Sequence, residues 1–208
     1  MNTRLVLRIT WLLCVPCAAA QERKEDKQAA TAPLAACIEP ASMRTAAAQP
    51  MPGSKLTVVC PAREDALGLS RLTAEEFKAT GLTHEQFLKE AAATAAAHLK
   101  TLKPAVHKDA KGRAAYAILK SESHLTASVI LCPEFHAQFK ETFGEKLVVI
   151  IPDRFTVYVF PRTMAGFQTM GPEIMEKFTG STWPCSREAF EITAAGAKCL
   201  GAFDDGEE

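Results

Sequence analysis

No stretch of this 208-residue sequence is long and apolar enough to cross a bilayer as a helix, which takes about 20 consecutive apolar residues. There is no surplus of charge of either sign: 24 Lys and Arg stand against 24 Asp and Glu. A balanced chain has no electrostatic reason to seek nucleic acid or an anionic membrane, so no nucleic-acid partner is expected. The sequence lacks a glycine-rich phosphate loop and the Gly-x-Ser-x-Gly elbow of a serine hydrolase. No two histidines have ligand spacing and no Cys-x-x-Cys lies beyond residue 17, so neither a metal nor another cofactor is expected.

What is present begins with an export signal. Arg4 and Arg8 form a basic start, Ile9 to Val15 a short apolar core, and Ala18-Ala19-Ala20 a small-residue junction before the polar Gln21. That three-part layout is a cleavable secretory signal over 1–20. A periplasmic or extracellular protein is expected, with no stable membrane insertion after cleavage. The remainder has 22 basic against 24 acidic residues and fits one domain.

Five cysteines follow the signal: Cys37, Cys60, Cys132, Cys185 and Cys199. Export favours disulfides, but an odd number leaves at least one thiol over, and spacing leaves several pairings open. The shortest loops are closed by Cys37–Cys60 and Cys185–Cys199, which are the expected bridges. Cys132 ends the apolar run Val129-Ile130-Leu131 and reads as a buried small hydrophobe.

Residues 21–54 are rich in Ala, Pro, Gln and charge and read as a flexible leader. The folded domain is expected over 55–203, followed by an acidic tail, 204–208. Leu56 to Cys60 reads as a strand stopped by Pro61. Thr73-x-x-Glu76 and Thr83-x-x-Gln86 are capping boxes that open a short helix and a long one, about 84–102, with Leu88, Ala91, Ala95, Leu99 and Leu102 on one face. A strand is expected at 114–119, a helix at 133–143 on its Phe135, Phe139, Phe143 stripe, and helices at 172–178 and 186–195. Lys146 to Ile151 and Thr156 to Phe160, joined by Pro152-Asp153-Arg154, make a hairpin. Strands and helices without regular alternation predict an α+β fold with a mixed, largely antiparallel sheet around the 147–151/156–160 hairpin.

From residue 55 onward several short motifs coincide with one family. Leu72-Thr73-Ala74-Glu75-Glu76-Phe77 and Gly81 to Phe87 are similar to its two successive capped helices. Ala127-Ser128 with Leu131 is similar to its Ala-Ser-x-x-Leu segment, and Val149 to Arg154 to its strand and Pro-bearing turn. Trp183-Pro184-Cys185-Ser186 with Phe190 is similar to the start of its final helix. The chain thus resembles the YtpQ-like bacterial family of unknown function (domain of unknown function 1444). It departs from that pattern in carrying an export signal and in having Phe155 where the family tends to place an acid. The resemblance brings no activity, cofactor or site residue.

Three local groupings are candidates for chemistry. Asp153 and Arg154 lie between two strong strands, either as a ligand-facing charge pair or as a turn ion pair. Cys132 and His136 are four apart, the spacing of a thiolate–imidazole pair on one helix face, although Pro133 puts the cysteine at the helix edge and His136 falls off the Phe stripe, toward solvent. Lys100, Lys103, His107, Lys108, Lys111 and Arg113 form a basic cluster that reads as a solvated loop or an acidic-partner patch. The expectation is an exported, non-catalytic binding module for a protein or small ligand. The alternative is an envelope hydrolase assembled from Cys132, His136 and Asp153.

Overall fold

A computed structural model describes residues 32–65, 68–163 and 167–203. The expected signal peptide, the leader up to residue 31 and the acidic tail lie outside them. From Pro33 the chain forms one unit.

The two capping boxes form as their spacing predicts. Thr73 Oγ1 accepts from the Glu76 N–H at 3.2 Å while the Glu76 carboxylate accepts from the Thr73 N–H at 2.7 Å. They open helix α1 (Ala74–Ala79). Thr83 and Gln86 repeat the exchange at the head of α2 (His84–Leu99), which buries Phe87, Ala91, Ala95, Ala96 and Leu99. Helix α3 (Pro133–Phe143) starts on its proline, buries Phe135, Phe139 and Phe143, and stops at Gly144, whose φ of 93° suits glycine.

Six antiparallel strands make the larger sheet: β5 (Ala105–Lys108), β6 (Ala114–Lys120), β7 (Leu147–Asp153), β8 (Thr156–Pro161), β9 (Glu188–Thr193) and β10 (Gly196–Ala202), in the order β10-β9-β7-β8-β6-β5. The fold is α+β, built on the expected β7–β8 hairpin with Val149 opposite Val159. The hairpin's strands are buried on both faces, with apolar side chains from Leu147 to Ile151. Leu147, Val149, Ile151, Val157 and Val159 pack into the main core with α2 and α3. Val148, Ile150, Tyr158 and Phe160 pack on the other face with Ile174 of helix α4 (Gly171–Gly180).

One expected helix is a strand. Residues 186–195 hold no helix; Glu188 to Thr193 pair on one side with β7 and on the other with β10, around a turn at Ala194-Ala195. The sequence Glu-Ala-Phe-Glu-Ile-Thr alternates at period two, and Ser186 and Gly196, which look like helix caps, instead flank a hairpin strand. The likeness of Trp183 to Phe190 to a helix start is corrected with it.

The flexible leader is corrected more deeply. Residues 34–54 belong to the fold: β1 (Leu34–Pro40) and β2 (Gln49–Pro50) flank β3 (Thr57–Asp65), with β4 (Gly68–Arg71) added to β3. Ala35, Ala36, Cys37 and Ile38 are each 1% exposed. Small residues suit this strand because both its faces are buried: Ala36 and Ile38 meet α2 and the main core, and Cys37 lies on the opposite face with Cys60 and Ala62. Thr94 of α2 donates to the Leu34 carbonyl at 2.7 Å, and Ser128 donates to the Ala36 carbonyl. Nor does Pro61 stop the strand. Its carbonyl faces Leu72 on the side away from β1, so its missing N–H takes nothing from the β1–β3 ladder.

Candidate functional site

A cleft of about 370 Å³ opens where the edge strands of the two sheets, β2 and β10, face one another. Its floor is Ile130, Cys132, His136 and Ile192; Leu88 of α2 and the Ala194-Ala195 turn form part of its rim. At one end the Cys199 N–H donates to the Pro52 carbonyl at 2.8 Å and closes the gap. Among the described residues, no Lys, Arg, Asp or Glu lines it. Its volume falls within the range of small-ligand sites.

Cys132 and His136 thus do reach one cavity, but not as a pair. The Cys132 thiol donates to the Val129 carbonyl at 3.1 Å, and burial pushes it up to about 11, away from thiolate chemistry. His136 is buried, not solvated, and its Nε2 lies 2.9 Å from the Glu145 carbonyl oxygen. Asp153 accepts the Phe155 N–H at 2.8 Å within the β7–β8 turn. The three groups of the hydrolase alternative are each held by a different backbone partner.

Arg154 is not the ion-pair partner of Asp153. Its guanidinium bonds the Glu39 carboxylate of β1, and both side chains are under 5% exposed. Arg71 of β4 reaches the other Glu39 oxygen at 3.0 Å and is 40% exposed. The Arg154 guanidinium also stacks on the Trp183 ring at 4.5 Å, with Nη1 3.5 Å from His124 Nδ1. Burial, then the Arg154 charge, holds His124 below the ordinary histidine value. This cluster joins β1, β4, the 123–127 segment and the β7–β8 turn. The sequence reading missed Glu39 because it lay in the supposed leader; the short apolar run ahead of it was the available signal.

A second buried carboxylate was also missed. Glu188 accepts from the Ser54 hydroxyl, from Thr57 Oγ1 at 2.6 Å and from the Cys199 thiol at 3.3 Å; Ser186 lies 2.6 Å from Thr57. These neutral donors replace water around the anion and fasten the 54–57 segment to β9 and β10.

Neither expected disulfide is formed: all five cysteines are free. Cys199 lies opposite Phe190 on β10, whereas Cys185 lies five positions before Phe190, bonded through its N–H to the Pro152 carbonyl. That offset is on the order of 15 Å along the strand, against at most about 7 Å between bridged Cα atoms. Cys37 and Cys60 do oppose one another across β1 and β3, but the Cys60 thiol turns to Glu39 at 3.7 Å. Burial pushes the Cys37 thiol up to about 12.

The basic cluster is split between the end of α2 and the β5–β6 hairpin, where Arg113 pairs with Asp109 at 2.7 Å and His107 stacks on Tyr116. Among the described residues no three His, Cys, Asp or Glu side chains are disposed to hold a metal, and no helix is long and apolar enough to cross a membrane. The chain matches no family model, no curated protein and no solved structure.

Proposed function

We propose that this chain is an exported, non-catalytic binding module whose ligand enters the β2–β10 cleft. One observation carries the reading: the cleft is largely apolar with no Lys, Arg, Asp or Glu among its described lining residues, and the thiol and imidazole that reach it are engaged with backbone carbonyls. Such a surface favours a small, neutral, mainly apolar group, which gains from leaving water without leaving a charge unpaired. Export rests on the layout of residues 1–20. Kinship with the YtpQ-like proteins belongs to the same proposal and rests on the motifs between Leu72 and Arg154.

The test is a fluorescence titration with the neutral dye N-phenyl-1-naphthylamine. Saturable binding is expected for the native chain, and at least a tenfold loss for Leu88→Arg, which puts a charge on the rim at a side chain already 37% exposed. Dye binding that ignores Leu88→Arg, or no binding at all, rules the cleft out. Export is tested by amino-terminal sequencing of protein from the cell envelope, expected to begin at Gln21.

A further inference from the structure

We infer that the cleft takes an extended, uncharged polypeptide segment, which adds as a strand to the open edge of β10. The inference rests on the cleft being the binding site and names the class of ligand. It follows from the hydrogen-bond phase of the β9–β10 hairpin. Thr193 and Gly196 close a two-residue turn, so they form the hydrogen-bonded pair, and Ala197 opposite Ile192 is the next, non-bonded pair. The N–H and C=O of Ala197 therefore point away from β9. Cys199, two residues on and in the same phase, confirms the direction: its N–H leaves the sheet to reach Pro52.

The opposite wall has a matching phase. Met51 donates its N–H to Thr57, so Pro50, one residue earlier, turns its carbonyl outward from β3, and as a proline it offers no donor there. The cleft thus presents a donor–acceptor pair at Ala197 and an acceptor at Pro50 within an apolar surround. A mainly apolar ligand gains from the apolar floor but leaves these three groups without partners, which limits its affinity. A peptide strand supplies the complementary N–H and C=O at the right spacing while its side chains enter the apolar floor.

Charge complementarity selects the kind of segment. The other edge strand of this sheet, β5, carries His107 and Lys108, the usual guard against stray pairing. On β10, Gly196 and Ala197 line the cleft, and Lys198 falls on the opposite face from Ala197 and Cys199, which pack toward the main core. An uncharged segment fits and a charged one does not. From Gly196 to the closure at Cys199 the edge is roughly 10 Å long, room for about three residues.

The experiment titrates the full domain with the capped tetrapeptide acetyl-Ala-Val-Ala-Val-amide and with the same peptide N-methylated at its central residues, with N-phenyl-1-naphthylamine as reference ligand. The unmodified peptide is expected to displace the dye and to slow amide exchange at Ala197 at least tenfold. N-methylation is expected to weaken it at least tenfold. Ala197→Pro, which removes an outward-facing N–H and no bond to β9, is expected to lose peptide binding and keep dye binding. Equal binding of the two peptides would overturn strand addition. Dye binding without peptide binding would overturn this inference and leave the binding module standing; binding of neither would remove both.

Discussion

Replacing Glu39 should do more damage than replacing the arginine it pairs with. In Glu39→Gln, Arg154 keeps its charge at 4% exposure and is left with the Trp183 ring and His124, neither of which carries a compensating negative charge. Breaking a buried pair by removing one partner costs about 3–5 kcal/mol. In Arg154→Met, the stem is replaced by a flexible apolar chain and Glu39 keeps Arg71, already at 3.0 Å and partly in water. The loss then falls to about 1–3 kcal/mol, the cost of an imperfectly satisfied buried acceptor. For a domain of this size each kcal/mol moves Tm by about 2–4 °C, so Glu39→Gln should melt about 6–20 °C below the parent. The assay is urea unfolding followed by circular dichroism, with both single variants and the double. The double variant should lose less than the sum of the singles, because the groups share one interaction. Equal costs for the two single variants, or losses under about 1 kcal/mol for both, would show that the pair is solvated and that the reasoning fails. Success would also show that a residue of the supposed leader belongs to the folded unit.

Three further expectations concern other parts of the molecule. Gly68 has φ 116°, and a Cβ there would sit 2.6 Å from His124 Cδ2. Gly68→Ala should therefore cost clearly more in thermal unfolding than Gly112→Ala, where the Cβ meets nothing and only the strain of about 1–2 kcal/mol remains. Ellman titration of the native protein at pH 8 should find Cys199 the most accessible described thiol, yet reacting about tenfold more slowly than a thiol at 9.0, since burial and Glu188 push it to about 11 and the scarcer thiolate is only partly offset by its greater nucleophilicity. Finally, burial lowers His98 and His124 from 6.5, so the unfolded chain binds more protons than the folded one below that value. Stability should be flat with respect to these groups above pH 6.5 and fall as the pH drops from there through their folded values; His98→Gln and His124→Gln should each flatten the fall in pH-dependent urea midpoints.

Local rules made the helices and the central hairpin legible. Thr73 and Thr83 announce their helices by hydroxyl and spacing alone, and the Phe135, Phe139, Phe143 stripe gives α3 its observed bounds, 133–143. Leu147 to Ile151 can be buried on both faces only within a sheet. The errors arose where structure depends on distant partners. Ala35 to Ile38 are too small and too few to declare a strand; they become one because β3 and α2 arrive from later in the chain. Glu188 to Thr193 carry a strand's alternation between residues that also cap helices, and the caps misled. The site suffered most. Cys132 and His136 were visible as a pair at helical spacing, but the cleft they reach is made by two strand edges, one of them inside the supposed leader, and no local signal joins Pro50 to Ala197. Arg154 was visible and its partner was not, since Glu39 precedes it by 115 residues and meets it only in the folded chain.

The most direct measurement of the central claim is a heteronuclear NMR titration of the folded protein with N-phenyl-1-naphthylamine. Amide shifts should concentrate at Met51, Leu88, Ile130, Leu131 and Ala194 to Ala197, which line the cleft from four separate parts of the sequence. Shifts centred on Arg154, Trp183 and His124, or scattered without saturation, would contradict the claim that this protein binds its ligand between β2 and β10.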